Sequence, residues 1–160
     1  MLIFDNEGHT LIASAMKDKQ FFLALADSDE KWGYDKEPRY NGKQEKVFAY
    51  IGEHQKSFVV LDSKGSIEFN GKRYRESSTP TNILLISFKL KGTELKGRTI
   101  RQEVVMSHEL SIHQSKEINR LFLEAKEMDS RHLKRVIGEN ISPKKIEPGS
   151  NEVLNYVITF

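Results

Sequence analysis

A chain of 160 residues, 38% hydrophobic and 30% charged, is long enough for one cored domain over 1–160, cramped for two, and too apolar for general disorder. Its 25 basic and 23 acidic side chains leave a net charge of +2, a balance that argues against a dedicated nucleic-acid binder, whose affinity rests on clustered Lys and Arg neutralising phosphates. The absence of Cys excludes disulfide frameworks, thiolate catalysis and cysteine-held zinc or iron–sulfur centres, and it suits synthesis in a reducing cytoplasm.

Met1-Leu-Ile-Phe4 runs at once into Asp5, Asn6 and Glu7, which is not an export signal, and no stretch approaches the ~20 apolar residues of a membrane span. Asn6 to Lys17 carries Leu11, Ile12, Ala15 and Met16 at helical spacing, with Asp5, Asn6 or Thr10 to cap the start and Lys17 near the end; this predicts a short N-terminal helix. Phe21 to Ala26 is a continuous apolar run and predicts a central strand buried on both faces. From about 27 to 46 the chain is polar, broken by Gly33, Pro38 and Asn41-Gly42, and reads as a loop around Trp32 and Tyr34. Val47, Phe48 and Ile51 suit a helical turn or a short strand.

Phe58 to Leu61, Ser66 to Phe69 and Lys72 to Arg75, separated by Asp62-Ser-Lys-Gly65 and Asn70-Gly71, predict a β-meander with Ile67, Phe69 and Tyr74 on one side, because Asn-Gly is the strongest short hairpin signal. After Pro80, Asn82 to Leu90 and Thr99 to Met106 predict two strands able to pair through Gly92 to Gly97. Ser115 to Met128 admits helix or loop; Ile118, Leu121, Phe122, Ala125 and Met128 on one helical face favour helix. Leu133 to Ile137 and Val153 to Phe160 predict the last strands, the apolar ending implying a terminus tied into a sheet. The fold class is therefore α+β and β-rich: a short N-terminal helix packed on an antiparallel or mixed sheet or sandwich, with a second helix near 115–128.

Little of this carries catalytic chemistry. His108-Glu109 with His113 suggests a small metal-dependent hydrolase, but two His five apart do not share a helix face as zinc ligands four apart do, so exposed loop histidines are expected there. No glycine spacing matches a phosphate-binding loop, and Ser77-Ser-Thr-Pro80 has no patterned base beside it. Asp27 and Asp29 lack the ligand frame of a calcium loop. The basic runs Lys43 to Lys46, Lys72-Arg-Tyr-Arg75 and Lys134-Arg135, interleaved with aromatics, suit a single-stranded nucleic-acid-binding module that grips by stacking and charge, but strand alternation and the flanking Glu68 and Glu76 favour a solvated sheet face. No catalytic, cofactor-binding or metal residue is assigned. Trp32, Tyr34 and Tyr40, aromatics in a polar loop, are the candidate partner-interface residues.

The order of Asn6-Glu-Gly-His-Thr-Leu-Ile12, Phe21-Phe-Leu-Ala-Leu25, Trp32-Gly33, Phe58-Val-Val-Leu-Asp62, Gly71-Lys-Arg-Tyr74, Ser78-Thr-Pro-Thr-Asn82, Thr99-Ile-Arg-Gln102 and Val157-Ile-Thr-Phe160 resembles small tail-tip or baseplate structural proteins of tailed bacteriophages that help attach fibres. The resemblance spans nearly the whole chain, departing where Arg101 precedes Gln-Glu-Val-Val-Met106 and His108-Glu109. It implies a virion protein made in the host cytoplasm and contacting other tail, baseplate or fibre proteins in several ring-symmetric copies, without an enzyme activity, cofactor, nucleic acid or membrane.

Overall fold

The computed structural model describes residues 2–27, 46–111 and 121–160. Helix α1 (Asn6–Lys17) starts at Asp5, whose carbonyl accepts from the His9 amide at 3.1 Å, with Glu7 in the first turn and Lys17 in the last, matching the helix dipole. It closes one end of the molecule, where Ala13 is buried with Phe58 and Leu84 and Met16 packs beside them.

Ten strands follow: β1 (Lys19–Ala26), β2 (Val47–Gly52), β3 (Gln55–Leu61), β4 (Ile67–Phe69), β5 (Lys72–Glu76), β6 (Ile83–Lys91), β7 (Ile100–Ser111), β8 (Phe122–Glu124), β9 (Leu133–Lys144) and β10 (Asn151–Thr159). They form two five-stranded sheets, ordered β8-β2-β1-β7-β9 and β10-β6-β3-β5-β4, antiparallel throughout. The fold is thus a barrel-like β-sandwich, more β-dominated than an α+β fold. The central position of β1 follows from its unbroken apolar run. Phe21, Leu23 and Leu25 enter the core between the sheets with Ile86, Phe88 and Leu90, while Phe22 and Ala24 face a second cluster with Tyr50, Val104 and Met106.

The expected helix at 115–128 does not extend into the described part of that range. Residues 121–128 form β8 and a 3-10 turn at Ala125–Glu127, and Leu123 and Met128 lie over the outer face of the first sheet. Of the apolar stripe that a helix would bury, Met128 is buried but Leu121 is exposed, and Leu123, outside that stripe, is buried with Met128 instead. The segment at 47–51 is the strand β2, and β9 runs on to Lys144, seven residues past the expected end.

Two expected pairings are also corrected. β5 lies between β3 and β4, so the region is no chain-order meander, although Asn70 (φ 50) and Gly71 (φ 75) do make the β4–β5 turn. Ile67 sits opposite Tyr74, and both join Phe69 around Val59, Leu85 and Val157. β6 and β7 do not pair through Gly92 to Gly97. A single-turn helix, α2 (Gly92–Leu95), carries the chain from one sheet to the other and inserts the buried Leu95 into the core. Gly92 is required there because a Cβ would collide with the Glu147 carbonyl, and its amide donates to the Ser150 carbonyl at 2.9 Å. The last strand is tied down as expected: the Phe160 amide donates to the Asn82 carbonyl at 2.9 Å.

Candidate functional site

Trp32, Tyr34 and Tyr40 lie outside the described residues, as do His113, Asp29 and most of the 27–46 loop. The remaining sequence candidates form structural pairs. His108 is not in an exposed loop: β7 extends to Ser111, so His108 is buried and its ring lies 5.7 Å from that of His132. Glu109 meets Lys134 at 3.1 Å and His132 at 3.4 Å, and these two hold its carboxyl below the ordinary range. Asp129 is likewise held below its ordinary range, by Arg131, 2.7 Å away. Among the described residues no group of His, Asp and Glu is arranged to hold a metal ion.

Ser77 donates to the Thr79 carbonyl at 2.8 Å and shapes a turn, and Asp27 accepts from Arg101 at 3.2 Å. In the basic run on β5, Tyr74 is buried, while the exposed Arg73 and Arg75 meet Glu68 at 3.4 Å and Asp62 at 3.3 Å.

Surfaces able to meet a partner are of three kinds. The two long edge strands are guarded, as natural edges usually are. The β7–β9 register slips at Val105/Met106 and again at Ile100/Gln102, and β9 carries Pro143 near its end. β10 has Phe69 of the curled second sheet against Tyr156, ring centroids 6.2 Å apart. Between these edges lies a cleft of about 110 Å³ beside Phe69, Ile137, Gly138 and Tyr156.

The second surface is apolar. Leu2 is 102% exposed, Leu11 71% and Ile3 76%, with Phe4 and Ile12 also exposed. The Phe4 ring covers Gly8, where a Cβ would come within 3.0 Å of it, and meets the His9 ring edge-on at 4.7 Å. The periodicity of α1 marks a helix, but its larger apolar residues point outward, because the sandwich end accepts only Ala13 and Met16. A signal was present in the sequence: Leu2, Ile3, Phe4, Leu11 and Ile12 are more apolar residues than one buried stripe of so short a helix needs. Large apolar side chains exposed together along α1 and the residues leading into it point to an interaction site. The third surface is a cationic cleft at the seam of the sheets.

A sandwich with guarded edges and an exposed apolar end fits a part of an assembly, and comparison with known families decides which. The model of the family described as baseplate wedge 3 tail fiber network component matches residues 1–160. The chain belongs to that family. It is accordingly a structural component of a phage baseplate and tail-fibre network, located in the virion tail. No curated protein matches this wedge component. No helix among its described residues is long and apolar enough to cross a membrane.

Proposed function

We propose that this wedge component acts as a non-catalytic connector, one folded unit over 1–160, joining baseplate and fibre chains by protein–protein contact in several ring-symmetric copies after synthesis in the host cytoplasm. The observation that carries the proposal is the exposed apolar face of Leu2, Ile3, Phe4, Leu11 and Ile12. Covering such side chains releases about 1.5–3 kcal/mol each before the costs of association, so the face favours a bound state. Trp32, Tyr34 and Tyr40 belong to the same proposal, as aromatic anchors of a second contact.

The test is cross-linking mass spectrometry on purified particles, asking which chains lie beside α1, Trp32, Lys43 and Lys126. Links to tail or fibre proteins are the expected result. Links confined to the chain itself, with the protein running as a free monomer, would overturn the proposal.

A further inference from the structure

A cleft of about 170 Å³ opens where the two sheets meet, lined by Gly52, His54, Lys89, Lys91, Glu94 and Leu121. Gly52 and Leu121 belong to the first sheet's side, joined by a 2.8 Å backbone hydrogen bond, and Lys89 and Lys91 end β6 of the second. The two lysines sit at alternate positions on the face of β6 turned away from Phe88 and Leu90. Alternate residues share a face about 7 Å apart along a strand.

The described residues otherwise give each half-buried lysine or arginine a partner. Lys17 lies over the Phe58 ring, Lys19 donates to the Glu109 carbonyl, Lys56 to Glu53 and Lys144 to Glu103 and Glu152. Arg98 meets Glu124 and Arg101 meets Asp27. Lys89 and Lys91 are equally half-buried, yet among the described residues their side chains form no ion pair, hydrogen bond or ring contact, even with Glu94 in the same cleft. Two ammonium groups side by side on one face of a strand repel each other, and an anion between them relieves that repulsion. The exposed Leu121 adds an apolar rim.

We propose that this cleft receives two carboxylates from an acidic, extended segment of a different baseplate chain, alternate Asp or Glu side chains of that segment meeting Lys89 and Lys91. The assignment rests on the connector function above and names one of its contacts. Because the cleft is formed by both sheets, a segment seated there grips the sandwich as a unit.

The test treats purified tails carrying the full chain with a carbodiimide, which joins a lysine only to a carboxylate in direct contact, and reads the linked peptides by mass spectrometry. Lys89 or Lys91 joined to Asp or Glu of another baseplate chain is the expected result. If both lysines link to nothing, or only to Glu94, while other lysines of the chain reach baseplate proteins, the cleft assignment is overturned and the connector function stands. If no lysine reaches another baseplate protein, both fall. Links to a second copy of this chain, distinguished by mixed isotope labelling, overturn the assignment to a different chain. In parallel, the Lys89→Gln/Lys91→Gln variant, with an unchanged thermal melt, is expected to enter tails roughly tenfold less than wild type, and the Lys89→Arg/Lys91→Arg variant about equally. Undiminished entry of the glutamine variant counts against the cleft.

Discussion

The Tyr156 hydroxyl of β10 donates to a carboxylate oxygen of Glu103 on β7 across 2.8 Å, a buried hydrogen bond that ties one sheet to the other. Burial, and then the Glu103 charge, push the phenol far above its ordinary range, which favours the protonated form that donates. Tyr156→Phe keeps the ring against Phe88 and Phe69 but leaves the Glu103 oxygen without this donor. A buried acceptor deprived of its partner costs about 1–3 kcal/mol, and urea unfolding of the variant is expected to show that loss with an unchanged denaturant slope. A stability equal to wild type would mean that the sheets are held by apolar packing alone.

Lys144 on β9 completes the same group, 2.8 Å from Glu103 and 3.0 Å from Glu152. Burial lowers its pKa, but the two carboxylates outweigh burial and leave it above 10.5. A base raised on folding contributes stability that is whole below its unfolded value and is lost as pH rises through the folded one. Wild type should therefore weaken above about pH 10.5 more steeply than Lys144→Met, which has no such group to titrate. At neutral pH that variant leaves the Glu103 charge uncompensated, a change that costs about 3–5 kcal/mol for a buried pair, and the low end applies because the Lys144 side chain is 28% exposed. Thermal melts at neutral and alkaline pH check both halves of the prediction.

On the acid side the corresponding group is Glu124. Arg98 grips it through two hydrogen bonds of 2.9 and 3.0 Å while lying over the Phe48 ring, and holds the Glu124 carboxyl below 4.5. A depressed acid contributes stability that is present above its unfolded value and lost as pH falls through the folded one. Glu124→Gln should thus be less stable than wild type at neutral pH, and the difference should shrink as pH falls below 4.5. A gap between the two proteins that is independent of pH would show that Arg98 acts on β8 by packing alone.

The legible parts of the fold were those where one local signal decides. α1 has its period and its flanking charges, β1 its unbroken apolar run, and the β4–β5 turn its Asn70-Gly71, whose left-handed angles few other pairs accept. Sheet membership was not legible, because it depends on contacts distant in sequence. β6 and β7 look like hairpin partners until Leu95 is seen to need a place between the sheets, and Gly92 to need the Glu147 carbonyl against it. The 121–128 segment misleads because β8 is only three residues long, too short for strand alternation to show against a helical spacing, and it buries Leu123 while leaving Leu121 exposed. Of the interface, the outward apolar face of α1 was present in the sequence as an excess of large residues, whereas the cleft of Lys89 and Lys91 was not, since nothing in a row of letters distinguishes an unpaired lysine from a paired one.

The outward face of α1 separates folding from assembly. Leu11 and Ile12 are exposed, at 71% and 42%, and lie outside the Ala13, Phe58 and Leu84 cluster that docks the helix, so replacing them leaves the helix seat intact. Leu11→Ser together with Ile12→Ser should change the unfolding free energy by about 0.5 kcal/mol or less per site, with a small part of that from lower helix propensity. In tails, the same double variant loses the apolar surface that docking would cover, worth about 1.5–3 kcal/mol per side chain, and its incorporation is expected to fall by roughly an order of magnitude or more. Ala13→Leu provides the contrasting control, since it overfills the helix seat and should lower stability by about 1–3 kcal/mol while leaving the outer face intact. Normal incorporation of the Leu11 and Ile12 variant, measured by quantitative mass spectrometry of purified particles, would move the docking surface away from α1 and towards other parts of the chain.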